Sequence, residues 1–276
     1  MKELNTVKSA LLGLLQGFTG LAPLSARGHV LLLERLSGET LSGEEMLPFL
    51  TAVRLGLVLA ILIGAFGALI RLLKHPLKGA LKWTLISCLP LLGVSLALKY
   101  SGWQTTIDDS AFELLPYALI FSAVTLFLAQ RIGKNRRVAD TCHDKPAFRD
   151  ALWVGFMQCL SAFTGVSMVG MELSGAMTGG LSARRAADFA FLCAVPALLV
   201  RYLPDGAKAV SSGAMKSAIS ENGIMLLAGF IAAAAAGFLA VKLVKWLVKK
   251  EKAGWFSVYL VLLGVVVLAG TLTGQL

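Results

Sequence analysis

The chain has 276 residues, of which 57% are hydrophobic and only 15% are charged, and its mean hydropathy is +0.75. A soluble globular domain averages about 45–50% apolar and about 25% charged residues, so the composition excludes a soluble enzyme, a disordered protein and a disulfide scaffold. It is typical of a helical integral membrane protein. The net charge of +10 indicates cytoplasmic loops that face anionic lipid, because the basic residues sort by loop; a nucleic-acid partner is disfavoured.

Six apolar segments are long enough to cross a bilayer, which takes about 20 residues per helix. The predicted spans are 49–73, 79–99, 112–131, 187–203, 223–248 and 255–275. They predict an all-α membrane protein in which residues 1–276 form a single membrane domain.

Two further apolar regions, 7–36 and 150–181, are interrupted by Gly, Ser, Thr and Pro. Irregular backbone at membrane depth is tolerated only where protein or a water-filled cavity covers it. We therefore predict that both regions are re-entrant helical hairpins. An ordinary pair of glycine-rich helices is the alternative.

The basic loops indicate the sidedness of the membrane domain. They carry Lys74, Lys78 and Lys82; Arg131, Lys134, Arg136, Arg137, Lys145 and Arg149; Arg184 and Arg185; and Lys242, Lys245, Lys249, Lys250 and Lys252. All fall on one side, the cytoplasmic side, if both hairpins return to the side they started from. The opposite loops 37–48 and 100–113 are acidic, and loop 204–222 is a mild exception with Lys208 and Lys216. Both termini are then expected outside.

The two broken regions are similar to each other when the chain is shifted by 142 residues. Ten identities fall between positions 11 and 53 and their counterparts without a gap, among them Gln16 with Gln158, Ser25 with Ser167 and Gly28 with Gly170. We predict two repeats, about 7–131 and about 149–275. Three spans separate them, so the second copy is inverted, an arrangement that places a site where the two hairpins meet.

The hairpins carry the residues that are candidates for binding or catalysis. In the first, Ser25 and Gly28 begin a helix whose free backbone N–H groups can hold an anion, Arg27 can bind a phosphate, and His29 can act as an acid, base or nucleophile. Gly165, Ser167 and Gly170 repeat the pattern in the second hairpin. Each residue alone is more often structural, so the prediction rests on their clustering.

Two charged residues lie in apolar sequence, Arg54 in the first span and Glu172 in the second hairpin. A charge at membrane depth usually faces a cavity or a partner. One hypothesis is an Arg54–Glu172 ion pair; the alternatives are a snorkelling Arg54 and a Glu172 that faces water. No Cys or His grouping predicts a metal site.

At these residues the chain resembles the undecaprenyl-diphosphate phosphatase family of the bacitracin-resistance type. The resemblance covers nearly the whole chain and is strongest at residues 17–29, Gly-Phe-Thr-Gly-Leu-Ala-Pro-Leu-Ser-Ala-Arg-Gly-His, where the family has Gly-x-Thr-Glu-Phe-x-Pro-x-Ser-Ser-x-Gly-His. Residues 164–170 resemble its Pro-Gly-x-Ser-Arg-Ser-Gly, and 187–196 resemble its Glu-Phe-Ser-Phe-Leu-x-Ala-x-Pro. The resemblance implies an isoprenoid diphosphate as substrate, hydrolysis to the monophosphate for cell-wall synthesis, and a bacterial inner-membrane location.

The sequence departs from the family at most of the positions to which the family's chemistry is attributed. Gln16 and Gly20 stand where the family has glutamates, Ala26 where it has a second serine, and Met168 where it has an arginine. An amide does not bind a divalent cation as a carboxylate does, and it is not a base. Arg27, Arg54 and Glu172 are candidates for relocated charges.

Three functions stay open from the sequence. The first is a lipid-phosphate binder or carrier with lost or much altered catalysis, and the second is an active, divergent phosphatase that uses His29 and Ser25 with Mg²⁺ or Ca²⁺. The third is a transporter or scaffold without a lipid-phosphate ligand. The expected partners are an isoprenoid phosphate or diphosphate and the membrane, and a homodimer is left open.

Overall fold

The computed structural model describes residues 4–74 and 81–276, with the side chains of 72–74 excepted. The described chain is helical, with an isolated β-bridge between His143 and Leu181 as its only β-pairing. The helices are α1 (Thr6–Leu21), α2 (Ala26–Ser37), α3 (Leu47–Gly64), α4 (Phe66–Lys74), α5 (Leu81–Ile86), α6 (Cys88–Ser101), α7 (Trp103–Asp109), α8 (Ala111–Val138), α9 (Phe148–Cys159), α10 (Met168–Gly179), α11 (Ala183–Ser211), α12 (Ala214–Lys249) and α13 (Gly254–Leu272). Short 3₁₀ turns occupy Glu44–Met46 and Leu160–Ala162.

All six predicted spans are confirmed as helical segments long and apolar enough to cross a membrane. The protein is therefore a multi-pass membrane protein. Two of the spans are broken helices, the first at Ala65 between α3 and α4 and the second at Ser87 between α5 and α6. Residues 79 and 80 of the second span, and Lys78 of its basic loop, lie outside the described residues.

Two predicted loops are wrong. The segment 100–113 contains α7, and the segment 204–222 is almost wholly helical, because α11 continues to Ser211 and α12 begins at Ala214. Pro204 is accommodated inside α11, and α12 is kinked at Asn222, where φ is −134°. Charged residues lower the hydropathy of 204–222 but do not stop a helix, so only the apolar part was recognised.

Each broken region forms two short helices joined by a tight turn, α1 with α2 and α9 with α10. The longest, α1, has 16 residues and is about 24 Å long at 1.5 Å per residue, less than the bilayer core of about 30 Å. That length fits the predicted hairpins, whose re-entrant course in the membrane stays a prediction.

Glycines allow the first hairpin to pack closely against α12. A Cβ on Gly13 would lie 2.4 Å from the carbonyl oxygen of Gly229, and one on Gly17 would lie 2.4 Å from that of Ala233. Small residues at such crossings let two backbones approach, which drives helix association in membranes. Helix α11 is the most buried of the six spans.

The second hairpin makes the counterpart of this contact. A Cβ on Gly155 would lie 2.4 Å from the carbonyl oxygen of Ser87, and the 142-residue shift relates Gly13 to Gly155 and Ser87 to Gly229. The same pair of contacts thus occurs in both halves of the chain. An inverted orientation of the two halves across the membrane stays a prediction.

Candidate functional site

An open cavity lies where the turns of the two hairpins meet. Both turns, α3 and α11 contribute its walls. The lining residues are Thr19, Gly20, Ser25, Ala26, Arg27, Leu57, Gly165, Val166, Ser167, Met168, Leu198, Arg201 and Tyr202. The cavity is therefore at the position that the repeat predicted, and it brings seven of the predicted residues together.

Ser25 caps the first of two helices that begin at the cavity. Its Oγ accepts a hydrogen bond from the backbone N–H of Gly28 at 3.2 Å. Its φ is +71° with ψ +91°, a sparsely populated conformation for a residue with a Cβ. Such strain persists only where the surroundings enforce it, and it is concentrated at functional sites.

Ser167 caps the second helix in the same way, since its Oγ accepts from the N–H of Gly170 at 3.1 Å. Its own N–H donates to the hydroxyl of Ser122 on α8 at 3.1 Å, which fixes the turn against the bundle. The N-termini of α2 and α10 therefore open on one cavity. Helix N-termini carry free N–H groups and a partial positive charge, and both favour an anion.

Gly28 and Gly170, which do not line the cavity, lie where the two turns meet. A Cβ on Gly28 would lie 3.5 Å from the Cα of Gly165, whose φ is +99°, and a Cβ on Gly170 would lie 3.4 Å from the Cβ of Pro23. The 142-residue shift exchanges these two contacts. Gly28 and Gly170 thus lie at matching contacts between the two turns.

Arg27 lines the cavity and forms an ion pair there. Its Nη2 donates to Oδ1 of Asp108 on α7 at 2.9 Å, and Thr164 donates to the same oxygen at 3.4 Å. Both partners of this ion pair are about 40% exposed, so it is screened by solvent. The pair brings the carboxylate of Asp108 beside the cavity, although Asp108 lies in a segment that was predicted to be a loop.

The hypothesis of an Arg54–Glu172 pair is wrong. Arg54 donates to Asp205 at 2.7 Å and lies over the ring of Tyr202, 4.0 Å from the ring centroid. Glu172 is fully buried and accepts from Nε2 of Gln158 at 2.8 Å. Arg54 reaches the cavity only through Tyr202, and Glu172 lies away from it.

His29 lies behind the cavity wall, with both of its ring nitrogens engaged. Nδ1 donates to the carbonyl oxygen of Ser25 at 2.8 Å, because a carbonyl can only accept. In the neutral ring Nε2 then accepts from the hydroxyl of Tyr259 on α13 at 2.7 Å, and the two rings are stacked. His29 makes no bond to the hydroxyl of Ser25.

Gln16 is buried in α1, and its Nε2 has no hydrogen-bond partner among the described residues. Its counterpart in the repeat, Gln158, meets Glu172, whereas the position that corresponds to Glu172 in the first half is Val30. The missing carboxyl thus leaves Gln16 with an unused donor.

Arg201 and Tyr202 are cavity residues that the sequence did not reveal. Nη1 of Arg201 donates to the carbonyl oxygen of Ser161 at 2.7 Å and to its hydroxyl at 3.4 Å. An arginine at the end of an apolar span is expected to snorkel, so the sequence held no signal that it lines a cavity.

The cavity does not suit a divalent cation. No carboxylate is among its lining residues, and within 4–74 and 81–276 no three Asp, Glu, His or Cys side chains are grouped as ligands. Mg²⁺ and Ca²⁺ are bound mainly through carboxylate and carbonyl oxygens. Asp108, the acidic partner of a lining residue, is engaged by Arg27.

Known proteins resemble the chain over almost its whole length. The family described as Bacitracin resistance protein BacA matches residues 9–266. A protein named undecaprenyl-diphosphatase from Carboxydothermus hydrogenoformans is 31% identical, over 99% of this chain and 100% of the relative. Relatives with the same name from Sinorhizobium medicae, at 30% over 98% of both chains, and from Bacillus subtilis, at 28% over 94% and 96%, are also similar.

Proposed function

The chain belongs to the BacA family, and on that premise we propose that it binds or carries an undecaprenyl phosphate or diphosphate, with hydrolysis lost or much altered. The observation that carries the proposal is the chemistry of the cavity. Two helix N-termini and two arginines face it, and no carboxylate lines it. These groups hold a phosphate, but none of the lining side chains is a general base.

The proposed binding mode starts from the two serine caps. Their hydroxyls are satisfied by Gly28 and Gly170, which leaves the amides of Ala26 and Met168, at the first positions of α2 and α10, directed at the anion. Arg27, whose charge is offset by Asp108, adds hydrogen-bond donors. The apolar tail of the lipid remains in the bilayer, where each buried methylene contributes about 0.8 kcal/mol.

The replaced residues argue against ordinary hydrolysis. Removing a single group that stabilises charge in a transition state commonly lowers the rate about 10²–10³-fold, and here Gln16, Gly20 and Met168 all differ from the pattern the resemblance implies. No step through a metal ion is proposed, because the cavity residues do not suit one.

An active phosphatase is the second candidate, and the strained backbone of Ser25 favours it. In that reaction water attacks the terminal phosphorus, the bridging P–O bond breaks, and inorganic phosphate and the lipid monophosphate are released. His29 can take the proton of the water only if Nε2 leaves Tyr259 and reaches the cavity.

The test is phosphate release from a C15 or C55 isoprenyl diphosphate by the purified protein, with Mg²⁺, Ca²⁺ or EDTA, beside saturation binding of the monophosphate. We expect saturable binding and no release above that of His29→Ala. Release that both EDTA and His29→Ala abolish establishes the phosphatase instead. Neither binding nor release, from protein shown to be folded, rejects both candidates.

We further propose a bacterial cytoplasmic-membrane location with both termini outside. Lys208, the basic exception on the outer side, is paired with Glu44 of the acidic outer segment, and Lys8 near the N-terminus is paired with Glu39. These contacts bring the first turn of α1 and segments 37–48 and 204–222 together. Labelling of single cysteines at Val7 and Gln275 with an impermeant maleimide in intact cells tests the orientation.

A further inference from the structure

Arg201 differs from the other arginines near the cavity in having no acidic partner. Arg27 is paired with Asp108 and Arg54 with Asp205, but no carboxylate of the described chain lies within 4 Å of Arg201. The hydrogen bonds reported for its guanidinium go to the neutral oxygens of Ser161. Arg201 therefore brings a full positive charge to the cavity wall.

The positive charge of the cavity can be counted from these groups. Arg27 is offset by Asp108, Arg201 contributes one charge, and each helix N-terminus contributes about half a charge. The sum is about two positive charges, and a phosphate monoester carries about −1.5 to −2 at pH 7. A diphosphate carries more negative charge, and the cavity has no further unpaired cation or acidic metal ligand to offset it.

We propose that Arg201 is the cation that neutralises the bound phosphate, and that it matches this cavity to an isoprenyl monophosphate rather than a diphosphate. The inference rests on the proposed function and deepens it. Arg201 belongs to α11 and lines the same cavity as the starts of α2 and α10, so that three helices hold the anion. Its bond to Ser161 fixes the guanidinium near the second hairpin, since Ser161 lies in the 3₁₀ turn after α9.

Met168 offers a way to supply the charge from another position. It is the first residue of α10 and lines the same cavity as Arg201. An arginine at 168 would extend from the helix start into the space that Arg201 now reaches. A variant with arginine at 168 and a neutral residue at 201 has as many positive charges as the wild type. Only the position that supplies one of them differs.

The experiment measures binding of farnesyl monophosphate, farnesyl diphosphate and inorganic phosphate to the full chain in nanodiscs. We expect the wild type to prefer the monophosphate. Arg201→Gln, which retains an amide donor for Ser161, is expected to lower that affinity about 10- to 100-fold, the range for losing a charge-assisted hydrogen bond. Arg131→Gln, at an exposed arginine on α8, is the matched control and is expected to bind as the wild type does.

Two further variants separate charge from structure. Met168→Arg combined with Arg201→Gln is expected to restore most of the monophosphate affinity, which a purely structural role of Arg201 would not allow. Met168→Arg alone adds a second unpaired cation and is expected to shift the preference toward the diphosphate.

The outcomes that overturn the inference differ from those that overturn the proposed function. Lipid binding that Arg201→Gln leaves unchanged rejects the inference alone, and so does a wild type that prefers the diphosphate. A double variant that is folded but not restored also rejects it. Absence of lipid binding by the wild type rejects the proposed function itself, and competition by inorganic phosphate at equal affinity rejects the lipid as the ligand.

Discussion

A Gly17→Val variant is expected to be destabilised by about 3 kcal/mol or more, at the upper end of the range for overpacking. The Cβ of residue 17 would lie 2.4 Å from the carbonyl oxygen and 2.7 Å from the Cα of Ala233. Both atoms belong to the backbone of α12, so no rotamer change relieves the clash. Helix α1 must move away from α12, and the first hairpin loses its main support.

Thermal unfolding in detergent measures this effect, with Gly93→Val as the matched control. Gly93 is also a helical glycine, but a Cβ there would meet no atom within 4 Å, and valine has a somewhat better helix propensity than glycine. The control is expected to unfold at or above the wild-type temperature. If Gly17→Val unfolds at the same temperature as Gly93→Val, the close approach of α1 and α12 is refuted.

A Gln158→Leu variant is expected to lose about 1–3 kcal/mol, as when a buried polar group is left without its hydrogen-bond partner. Nε2 of Gln158 donates to Oε1 of Glu172, while Oε2 has no partner in the described chain. Without Gln158, both carboxyl oxygens of a fully buried side chain lack a donor. The same thermal unfolding measurement reports the loss.

A double variant tests whether the loss comes from the unsatisfied carboxyl. Replacing both partners of a buried polar pair by apolar groups can be nearly neutral, so Gln158→Leu with Glu172→Leu is expected to recover most of the stability. Glu172→Gln is expected to be tolerated, because two amides can bond reciprocally and Gln158 Oε1 is also unpartnered. A double variant as unstable as Gln158→Leu would contradict this account.

The spans were predictable because hydropathy reports transfer into lipid, which is what these helices undergo. Hydropathy does not report where helical hydrogen bonding ends. Helix α11 continues past Pro204 and Asp205 to Ser211, and the charged 204–222 segment was therefore wrongly predicted as a loop. The backbone hydrogen bonds of a helix also form in water, so a charged segment at the end of a span can stay helical.

The part of the site that is formed by residues close together in the sequence was also predictable. A serine at a helix start can cap the helix by accepting from the backbone N–H three residues on, so Ser25 and Ser167 could be recognised from their neighbours alone. The partners that complete the site come from far along the chain: Asp108 lies 81 residues from Arg27, and Tyr259 lies 230 from His29. Nothing in the sequence near either residue indicates such a pairing.

The mutual contact of the two turns has a consequence for how such a cavity can change. Where Gly28 meets Gly165 and Gly170 meets Pro23, the neighbouring atoms across the turns belong to the main chain and to a proline ring. Ala26 and Met168 line the cavity but belong to neither of these contacts. Charge can therefore be exchanged for neutrality at 26 and 168 while the gap between the helices keeps its width, so that chemistry and architecture can drift apart in the same protein.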